Sequence, residues 1–432
     1  MRKTESACHG SRTCWRSSPD SPRACPLEPE PMNREPTFEN ALAFAGDLIR
    51  IPSMSGEEGE VAARLEEEMR VLGFDRVEVD GLGSVAGVVK GRGDAPPVML
   101  SCHLDVVAEG AHEEWEHPPF CGDVVDGHLH GRGAMDIKGP MALQVYAAAA
   151  LADRAPGDVI VGQVVYEERG GWGMENLVRS GLVNPAAVII GESTYGDIAL
   201  GHRGRAQLEV VIRGLASHAS APDRARNALD LLPGVLTGVA ALARRQESDP
   251  VLGPSSLAPT DVRVRPESPN VIPDEVIVVL DWRILPTDTE ASLIGRVEDA
   301  IAEVIPDVPA DYAIECRLAS ERQTSYTGRS ADRNLLTPGF LMEPDHAVVT
   351  AAASAVGRRG DPDTAAHCRP WTFATDGGWT CGVFGIPTIG FAPGEERYAH
   401  TNRERLDVEE ARWAFSRYPS LVLAVQEAVA KS

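Results

Sequence analysis

The chain has 432 residues, which is too long for a single hydrophobic core, so we expect two domains. Hydrophobic residues make up 43% and charged residues 24%, as in ordinary globular proteins, and no apolar run is long enough to span a membrane. The net charge of -23 argues against a nucleic-acid partner, because phosphate recognition needs a basic patch.

Residues 1–31 differ from the rest of the chain. They are rich in Arg, Ser, Pro and Cys and lack both apolar periodicity and the apolar segment of a secretory signal. We expect a disordered leader that does not belong to the fold, with Met32 as a candidate start. The eight cysteines show no CxxC spacing, which indicates a reduced, cytoplasmic protein.

The first half of the chain alternates helical and strand patterns. Helices are predicted over residues 38–51, from about 59 to Leu72, and over 139–153. Strands are predicted over 77–79, 85–89, 98–102, 159–166 and 187–190. Strands that alternate with helices predict an α/β fold, with a mixed sheet flanked by helices on both faces.

The pattern changes after His202. Strands are predicted over 206–213, 262–264, 275–285 and 312–318, and helices over 227–245 and 290–304. Their order, β-α-β-β-α-β, predicts a ferredoxin-like unit. The unit divides the α/β domain, whose pattern resumes from His346 and ends with a strand over 388–391 and a helix from Val408. We therefore expect one domain from 32–203 and 325–432, with an inserted domain over 204–324.

A histidine and an aspartate follow the apolar strand that ends near Leu100. His103 and Asp105 are two residues apart, so in an extended chain they point to the same side. A carboxylate near an imidazole fixes the tautomer of a metal-binding histidine. Taken alone, the pair is also what an ordinary polar strand end contains.

Four further segments place carboxylates or a histidine at the ends of elements. Asp136 lies between a glycine-rich turn and a helix start, where a helix cap is the alternative role. Glu167 and Glu168 end a strand and point in opposite directions, so one could bind a metal while the other acts as a base; a solvated acidic turn is the alternative. Glu192 follows an apolar strand, and His400 follows the last strand.

The carboxyl ends of strands in an open α/β sheet gather along one edge, where sites form. Five nitrogen and oxygen ligands without a thiolate suit two zinc-like ions that share one bridging carboxylate. Paired ions about 3.5–4 Å apart activate water for hydrolysis. The types of these side chains and their positions at strand ends thus favour a hydrolytic metal centre.

Residues 35–430 resemble the dinuclear-zinc amidohydrolase and exopeptidase family of acetylornithine deacetylase, succinyl-diaminopimelate desuccinylase, aminoacylase and carboxypeptidase G. The resemblance rests on motifs that occur in family order: SCHLDVV, GRGAMDIKG, VVYEERGG, VIIGES and AHTNRE. The segments WTFATDGG and GFAPGEE, together with AHTNRE, are most similar to a branch of hydrolases associated with selenium metabolism.

The resemblance implies a ligand for each position of a two-metal site. His103 and Glu192 would bind one ion, Glu168 and His400 the other, and Asp136 would bridge them. Zinc is expected, with cobalt or manganese as alternatives.

The same resemblance implies the groups that act beside the metals. Asp105 would orient His103, and Glu167 would be the general base that takes a proton from the attacking water and passes it to the leaving amine. The family usually has a cis peptide bond after the bridging aspartate, here Asp136–Ile137.

The inserted unit resembles the family's lid and dimerisation domain. This resemblance implies that His218 reaches across a homodimer toward the oxyanion of the tetrahedral intermediate. It also implies that Asn270 and Arg283 hold a carboxylate of a small-molecule substrate. Gly394 matches a loop whose backbone meets the substrate. The alternatives are a polar loop residue for His218, a surface pair with Asp281 for Arg283, and a plain turn for Gly394.

We therefore expect a metal-dependent hydrolase that cleaves an amide or peptide bond in a small N-acyl amino acid or dipeptide. One alternative is a non-catalytic metal-binding or regulatory protein on the same fold. Another is a Cys-His acyl hydrolase built on Cys102 or Cys381, which would need a thiolate beside an imidazole.

Overall fold

The computed structural model describes residues 34–431, so the predicted leader lies outside the described residues. The α-helices are α1 (Phe38–Ile49), α2 (Gly59–Val71), α3 (Lys138–Ala149), α4 (Trp172–Arg179), α5 (Leu232–Ala243), α6 (Glu290–Ala302), α7 (Ala347–Val356) and α8 (Val408–Lys431). The strands are β1 (Arg76–Val79), β2 (Val85–Val89), β3 (Ala95–His103), β4 (Val124–Val125), β5 (His128–His130), β6 (Gly157–Val164), β7 (Ala187–Ile190), β8 (Ile198–Ala199), β9 (Gly201–His202), β10 (Gly204–Arg213), β11 (Ser217–His218), β12 (Ser248–Asp249), β13 (Gly253–Pro254), β14 (Ser256–Arg265), β15 (Val271–Ile272), β16 (Glu275–Ile284), β17 (Ala313–Leu318), β18 (Ser320–Thr324), β19 (Ser330–Asn334), β20 (Leu336–Thr337), β21 (Phe340–Leu341), β22 (Cys368–Arg369), β23 (Thr388–Gly390) and β24 (Arg405–Asp407). None of the helices in this range has both the length and the apolar character that crossing a bilayer needs.

Eight strands form the large sheet, in the order β1-β2-β6-β3-β7-β23-β8-β22. The four central strands, β6, β3, β7 and β23, run parallel to their neighbours within this group. The outer pairs β1-β2, β2-β6 and β23-β8 are antiparallel, so the sheet is mixed, as predicted. Because the central strands are parallel, their carboxyl ends lie along the same edge of the sheet.

Helices cover the large sheet. Every residue of α3 is buried, since this helix packs against strand β3 and also against α1 and α8. Its alanine-rich sequence suits this position, because small side chains allow close approach of neighbouring elements. Helices α2 and α4 pack on β2 and β6. The α/β class expected from the sequence is confirmed.

The small sheet is separate and wholly antiparallel, in the order β14-β16-β10-β17, and β20 also pairs with β10. With helices α5 and α6 it follows the chain order β10-α5-β14-β16-α6-β17. Its apolar core contains residues between 206 and 318, whereas the core of the large sheet draws on residues 38–200 and 340–428. The division into a catalytic and a lid domain at the predicted boundaries stays a prediction.

Two local features differ from the sequence expectation. Strand β14 extends over Ser256–Arg265, well beyond the predicted 262–264. Pro259 does not end this strand, because β14 is an edge strand and its pairing with β16 is irregular between Pro259 and Asp261. The predicted boundary at residues 324 and 325 falls within the hairpin β18-β19. This hairpin lies against the large-sheet region, where the Tyr326 hydroxyl donates a hydrogen bond to the Gly83 carbonyl at 2.9 Å.

Candidate metal centre

The central strands of the large sheet deliver polar side chains to one edge. His103 is the last residue of β3, and Glu167 and Glu168 follow β6 by three and four residues. Glu192 follows β7, and His400 lies in the segment after β23. The four strands are neighbours and parallel, so residues distant in the chain meet at the same edge.

Two histidines share one aspartate. His103 Nε2 lies 3.2 Å from Asp136 Oδ1 and 3.2 Å from Glu192 Oε1. His400 Nε2 lies 3.3 Å from Asp136 Oδ2 and 3.0 Å from Glu168 Oε1. Each histidine therefore has its own glutamate partner, and the two oxygens of Asp136 face different histidines. The five side chains expected as ligands converge.

The spacing of these atoms fits metal ligands. Two donor atoms bonded to one tetrahedral zinc at about 2.1 Å are about 3.4 Å apart, close to the separations above. Ligand atoms of His103, Glu167 and Glu192 lie within 4.8 Å of one another, as do those of His103, Asp136 and Glu168. Nitrogen and oxygen donors of this kind suit zinc, cobalt or manganese.

The loop that carries Asp136 is fixed by a buried ion pair that the sequence analysis missed. The backbone amides of Met135 and Asp136 each donate to Glu404 Oε1 at 3.1 Å, and Glu404 Oε2 accepts from Arg132 at 2.5 Å. The Asp136–Ile137 peptide bond is cis, which confirms that expectation. The one signal for Glu404 in the sequence was its position four residues after His400.

Asp105 contacts His103 through its backbone. The carbonyl oxygen of Asp105 lies 2.7 Å from His103 Nδ1, whereas the nearer carboxylate oxygen is 3.6 Å from it. The carboxylate instead accepts hydrogen bonds from the amides of Glu167 at 3.0 Å and Glu168 at 3.2 Å, and from the Ser55 hydroxyl at 2.6 Å. The side chain of Asp105 therefore fixes the turn that presents both glutamates.

Burial and hydrogen bonding act in opposite directions on the groups around Asp136. Burial alone would lower the pKa of His103, but hydrogen bonds with Asp136 and Glu192 raise that pKa well above its usual value. Burial would raise the pKa of Asp136, but hydrogen bonds with His103 and His400 hold it below the usual range. Burial raises the pKa of Glu192 to about 7. The cluster is thus electrostatically coupled throughout.

The other half of the centre shows the same effects. Hydrogen bonds with Asp136 and Glu168 raise the pKa of His400 to about 10. Burial raises the pKa of Glu168, and it raises that of Glu167 well above the ordinary carboxyl value. Such concentrated negative charge is costly to bury unless it is neutralised, and bound cations are the usual means.

A second buried carboxyl group, Asp376, adjoins this cluster and was also missed from the sequence. Burial raises its pKa to about 8, and Oδ1 has no hydrogen-bond partner in the described part of the chain. Its negative charge contributes to the raised pKa of Glu167. Asp376 is the aspartate of the WTFATDGG motif, which contributed to the family resemblance without predicting a role for this residue.

A cleft of about 630 Å³ joins the candidate metal centre to the small sheet. Its lining from the centre comprises Asp136, Glu167, Glu168, Glu192 and His400. Its lining from the small sheet includes Arg205, Gln207 and Arg283. Of the residues expected to contact substrate, Arg283 therefore borders the cleft.

The remaining expected residues do not line this cleft. His218 is exposed on β11, with Nδ1 2.6 Å from the Ser220 hydroxyl. The Asn270 carbonyl accepts the amide of Ala219 at 2.9 Å, which places Asn270 beside His218. Gly394 has φ +112°, and a Cβ there would lie 2.3 Å from Met135 Cγ, so the loop needs glycine for close packing.

A family model for peptidase family M20/M25/M40 matches residues 99–423. The chain belongs to this family. It is 30% identical over 367 residues to the uncharacterized protein YgeY of Escherichia coli K12, covering 84% of this chain and 88% of that one. It is 32% identical over 355 residues to a succinyl-diaminopimelate desuccinylase of Methylobacterium sp. strain 4-46, covering 75% and 83% of the two chains.

A solved structure shares the fold of this M20-family chain. The YXEP protein of Bacillus subtilis, described as a dinuclear metal binding peptidase of the M20 family, superposes with a TM-score of 0.65 at 17% identity. The match covers 90% of this chain and 99% of that one. Family membership makes the chain a metal-dependent hydrolase of amide or peptide C–N bonds, as the sequence predicted.

Proposed function

We propose that this M20-family hydrolase uses two metal ions to cleave the amide bond of a small N-acyl amino acid or dipeptide. The observation that carries the proposal is the sharing of Asp136 by the imidazoles of His103 and His400 at 3.2 and 3.3 Å. This arrangement would suit a pair of cations that share the Asp136 carboxylate. The names of the relatives, which include a desuccinylase and a dinuclear metal binding peptidase, support it.

The proposed ligand sets follow the contacts. His103 and Glu192 would hold one ion, Glu168 and His400 would hold the other, and Asp136 would contribute to both, supported by separations of 3.0–3.3 Å between the paired atoms. The donor types favour zinc, with cobalt or manganese as alternatives. When bound, paired cations polarise the scissile carbonyl and make water a better nucleophile near neutral pH.

Glu167 is proposed as the general base. It adjoins Glu168 in sequence, borders the cleft and lies with His103 and Glu192 in one cluster of ligand atoms. Its raised pKa, caused by burial, suits a group that accepts a proton from water and then donates it to the departing amine. Asp105 keeps this carboxylate in place by accepting the backbone amide of Glu167.

The proposed substrate carries a free carboxylate, which Arg283 binds from the small-sheet side of the cleft. The proposed homodimer forms through the small sheet. This is supported by strand β14, which lies at the edge of the small sheet: among the described strands it pairs with β16 alone, so its other edge is free to pair with a partner chain, and it exposes Val262. A partner chain docked there would explain why His218 is exposed and does not reach the cleft of its own chain. A cytoplasmic location is also proposed, supported by five free cysteines within residues 34–431.

Metal depletion and reconstitution test the proposal. Protein freed of metal with a chelator is expected to be inactive and to regain hydrolysis of N-acyl amino acids or dipeptides when zinc, cobalt or manganese is restored. Elemental analysis should find two ions per chain in the active form. Hydrolysis that persists after complete metal removal would exclude the proposal, and full loading without turnover of any substrate in the panel would favour a non-catalytic role.

A further inference from the structure

Two arginines of the small sheet lie directly opposite each other beside the cleft. The antiparallel register of β10 and β16 pairs Arg205 with Arg283, and both side chains line the cleft. The carboxylate of Asp281 lies between them. Its Oδ2 accepts from Arg205 Nε at 2.9 Å, and its Oδ1 accepts from Arg283 Nε at 3.0 Å.

This arrangement leaves charge and hydrogen-bonding capacity unused. Like charges directly opposite on neighbouring strands destabilise a sheet, and Asp281 neutralises only one of the two. Both arginines use Nε for Asp281, and within residues 34–431 the terminal amino groups of Arg205 and Arg283 make no hydrogen bond. The Arg205–Asp281–Arg283 trio therefore has one net positive charge and two guanidinium ends that make no hydrogen bond within the described residues.

The third arginine of the cleft does not share these properties. Arg169 Nε donates to Glu321 Oε1 at 3.0 Å, and its terminal amino group contacts the other oxygen of the same carboxylate. That pair is neutral. The uncompensated positive charge on the small-sheet side of the cleft is therefore that of the Arg205–Asp281–Arg283 trio.

We propose that Arg205 and Arg283 together bind a single carboxylate of the substrate and that Asp281 is the positioning residue that aligns them. The inference rests on the proposed function and adds Arg205 and Asp281, to which the family resemblance gives no role. A carboxylate matches the net charge of the trio, and its two oxygens match two guanidinium ends. The substrate class is an amide with one free carboxylate, as in an N-acyl amino acid.

The adjoining walls suit an apolar amino-acid side chain. Leu335, Leu336 and Phe373 line the same cleft. N-acetyl-L-leucine and its carboxamide, N-acetyl-L-leucinamide, are therefore a matched pair of probes that differ in the carboxylate alone.

The kinetic test compares Arg205→Gln, Arg283→Gln and the double variant with wild type. Each single variant is expected to raise KM for N-acetyl-L-leucine by ~10- to 100-fold, the cost of losing a charged hydrogen-bond donor, with little change for the carboxamide. The double variant should lose much less than the product of the two single losses, because both arginines bind one group. Multiplicative losses would mean separate binding sites and would overturn the inference.

A matched control lies on the same strand. Arg213 has a similar exposed side-chain fraction, 44% against 49% for Arg205, and pairs with Glu275 and Glu315 away from the cleft. The Arg213→Gln variant should keep wild-type KM values for both probes. An equal loss in this control would show that the effect comes from the charge of the sheet as a whole.

A binding measurement separates this inference from the proposed function. Calorimetry with metal-free protein should show tighter binding of N-acetyl-L-leucine than of the carboxamide, and Arg205→Gln should abolish the difference. If no amide is hydrolysed under any metal condition, the proposed function fails while this selectivity can still be observed. If hydrolysis occurs but Arg205→Gln leaves the acid-to-amide selectivity unchanged in both assays, the inference alone fails.

Discussion

Metal removal should make the stability of the protein depend on pH in a defined direction. Without cations, Asp136 and Glu192 remain buried, and Glu167 and Glu168 partly buried, beside two histidines. Burial raises the pKa of Glu192 from 4.5 to about 7. Between these values the folded state binds more protons than the unfolded state, so the free energy of unfolding falls as pH rises from 4.5 to about 7.

The histidine side of the centre extends this loss to higher pH. Hydrogen bonds with Asp136 and Glu168 raise the pKa of His400 from 6.5 to about 10. The stabilisation that its protonated form gives is complete below pH 6.5 and is lost as pH rises to about 10. Metal-free protein should therefore become progressively less stable from pH 5 to pH 9.

The size of the carboxylate contribution can be worked out for Glu192. A change from 4.5 to about 7 corresponds to about 3 kcal/mol, at 1.36 kcal/mol per pKa unit. An entropy of unfolding of about 2.1 cal/mol/K per residue gives ~0.8 kcal/mol/K for about 400 residues. Ionisation of Glu192 should therefore lower Tm by about 4 °C.

Thermal unfolding followed by circular dichroism from pH 5 to pH 8 in a chelator measures this effect. The control is Glu192→Gln, which has nearly the same volume and no titrating group. Other buried carboxyl groups with a pKa near 7, such as Glu58 and Glu404, are present in both proteins and cancel in the comparison. If both proteins lose the same Tm over this range, Glu192 does not carry the buried charge and the reasoning is wrong.

Three substitutions test the roles of individual residues. Glu167→Gln should lower kcat by ~100- to 10,000-fold with unchanged metal content, and near-normal kcat would remove Glu167 as the base. His400→Ala should reduce the metal content measured by elemental analysis from two ions to one per chain, whereas an unchanged content would show that His400 is not a ligand. Asp105→Asn leaves one carboxamide oxygen to accept hydrogen bonds from the amides of Glu167 and Glu168, so kcat should fall more than the metal affinity measured by chelator competition. A larger loss of metal affinity than of kcat would show that Asp105 acts on His103 instead.

Much of the fold and of the candidate centre was accessible from the sequence because both depend on local patterns. The apolar runs at residues 85–89 and 187–190 coincide with strands β2 and β7. Each proposed ligand from a parallel strand follows such a run closely, so the rule that these strand ends share an edge was enough to predict that His103, Glu168 and Glu192 lie together.

The features that were missed depend on pairing between distant segments. Arg205 occupies an alternating strand like any surface residue, and only the register of β10 against β16 sets it opposite Arg283. The spacing of His103 and Asp105 predicted proximity, but not that the backbone oxygen makes the short contact. Glu404 accepts a hydrogen bond from the backbone amide of Asp136, 268 residues away in the chain, and no local sequence pattern predicts such a contact.

The order of the proposed ligands along the chain has a consequence for biosynthesis. His103, Asp136, Glu168 and Glu192 are all made before the small sheet, while His400 is added more than 200 residues after Glu192. At ~5–20 residues per second, a ribosome needs roughly 10–40 s to cover that interval. A nascent chain therefore carries four of the five proposed ligands without the second histidine for that time, and the proposed pair of cation sites can be complete only once residue 400 has been translated.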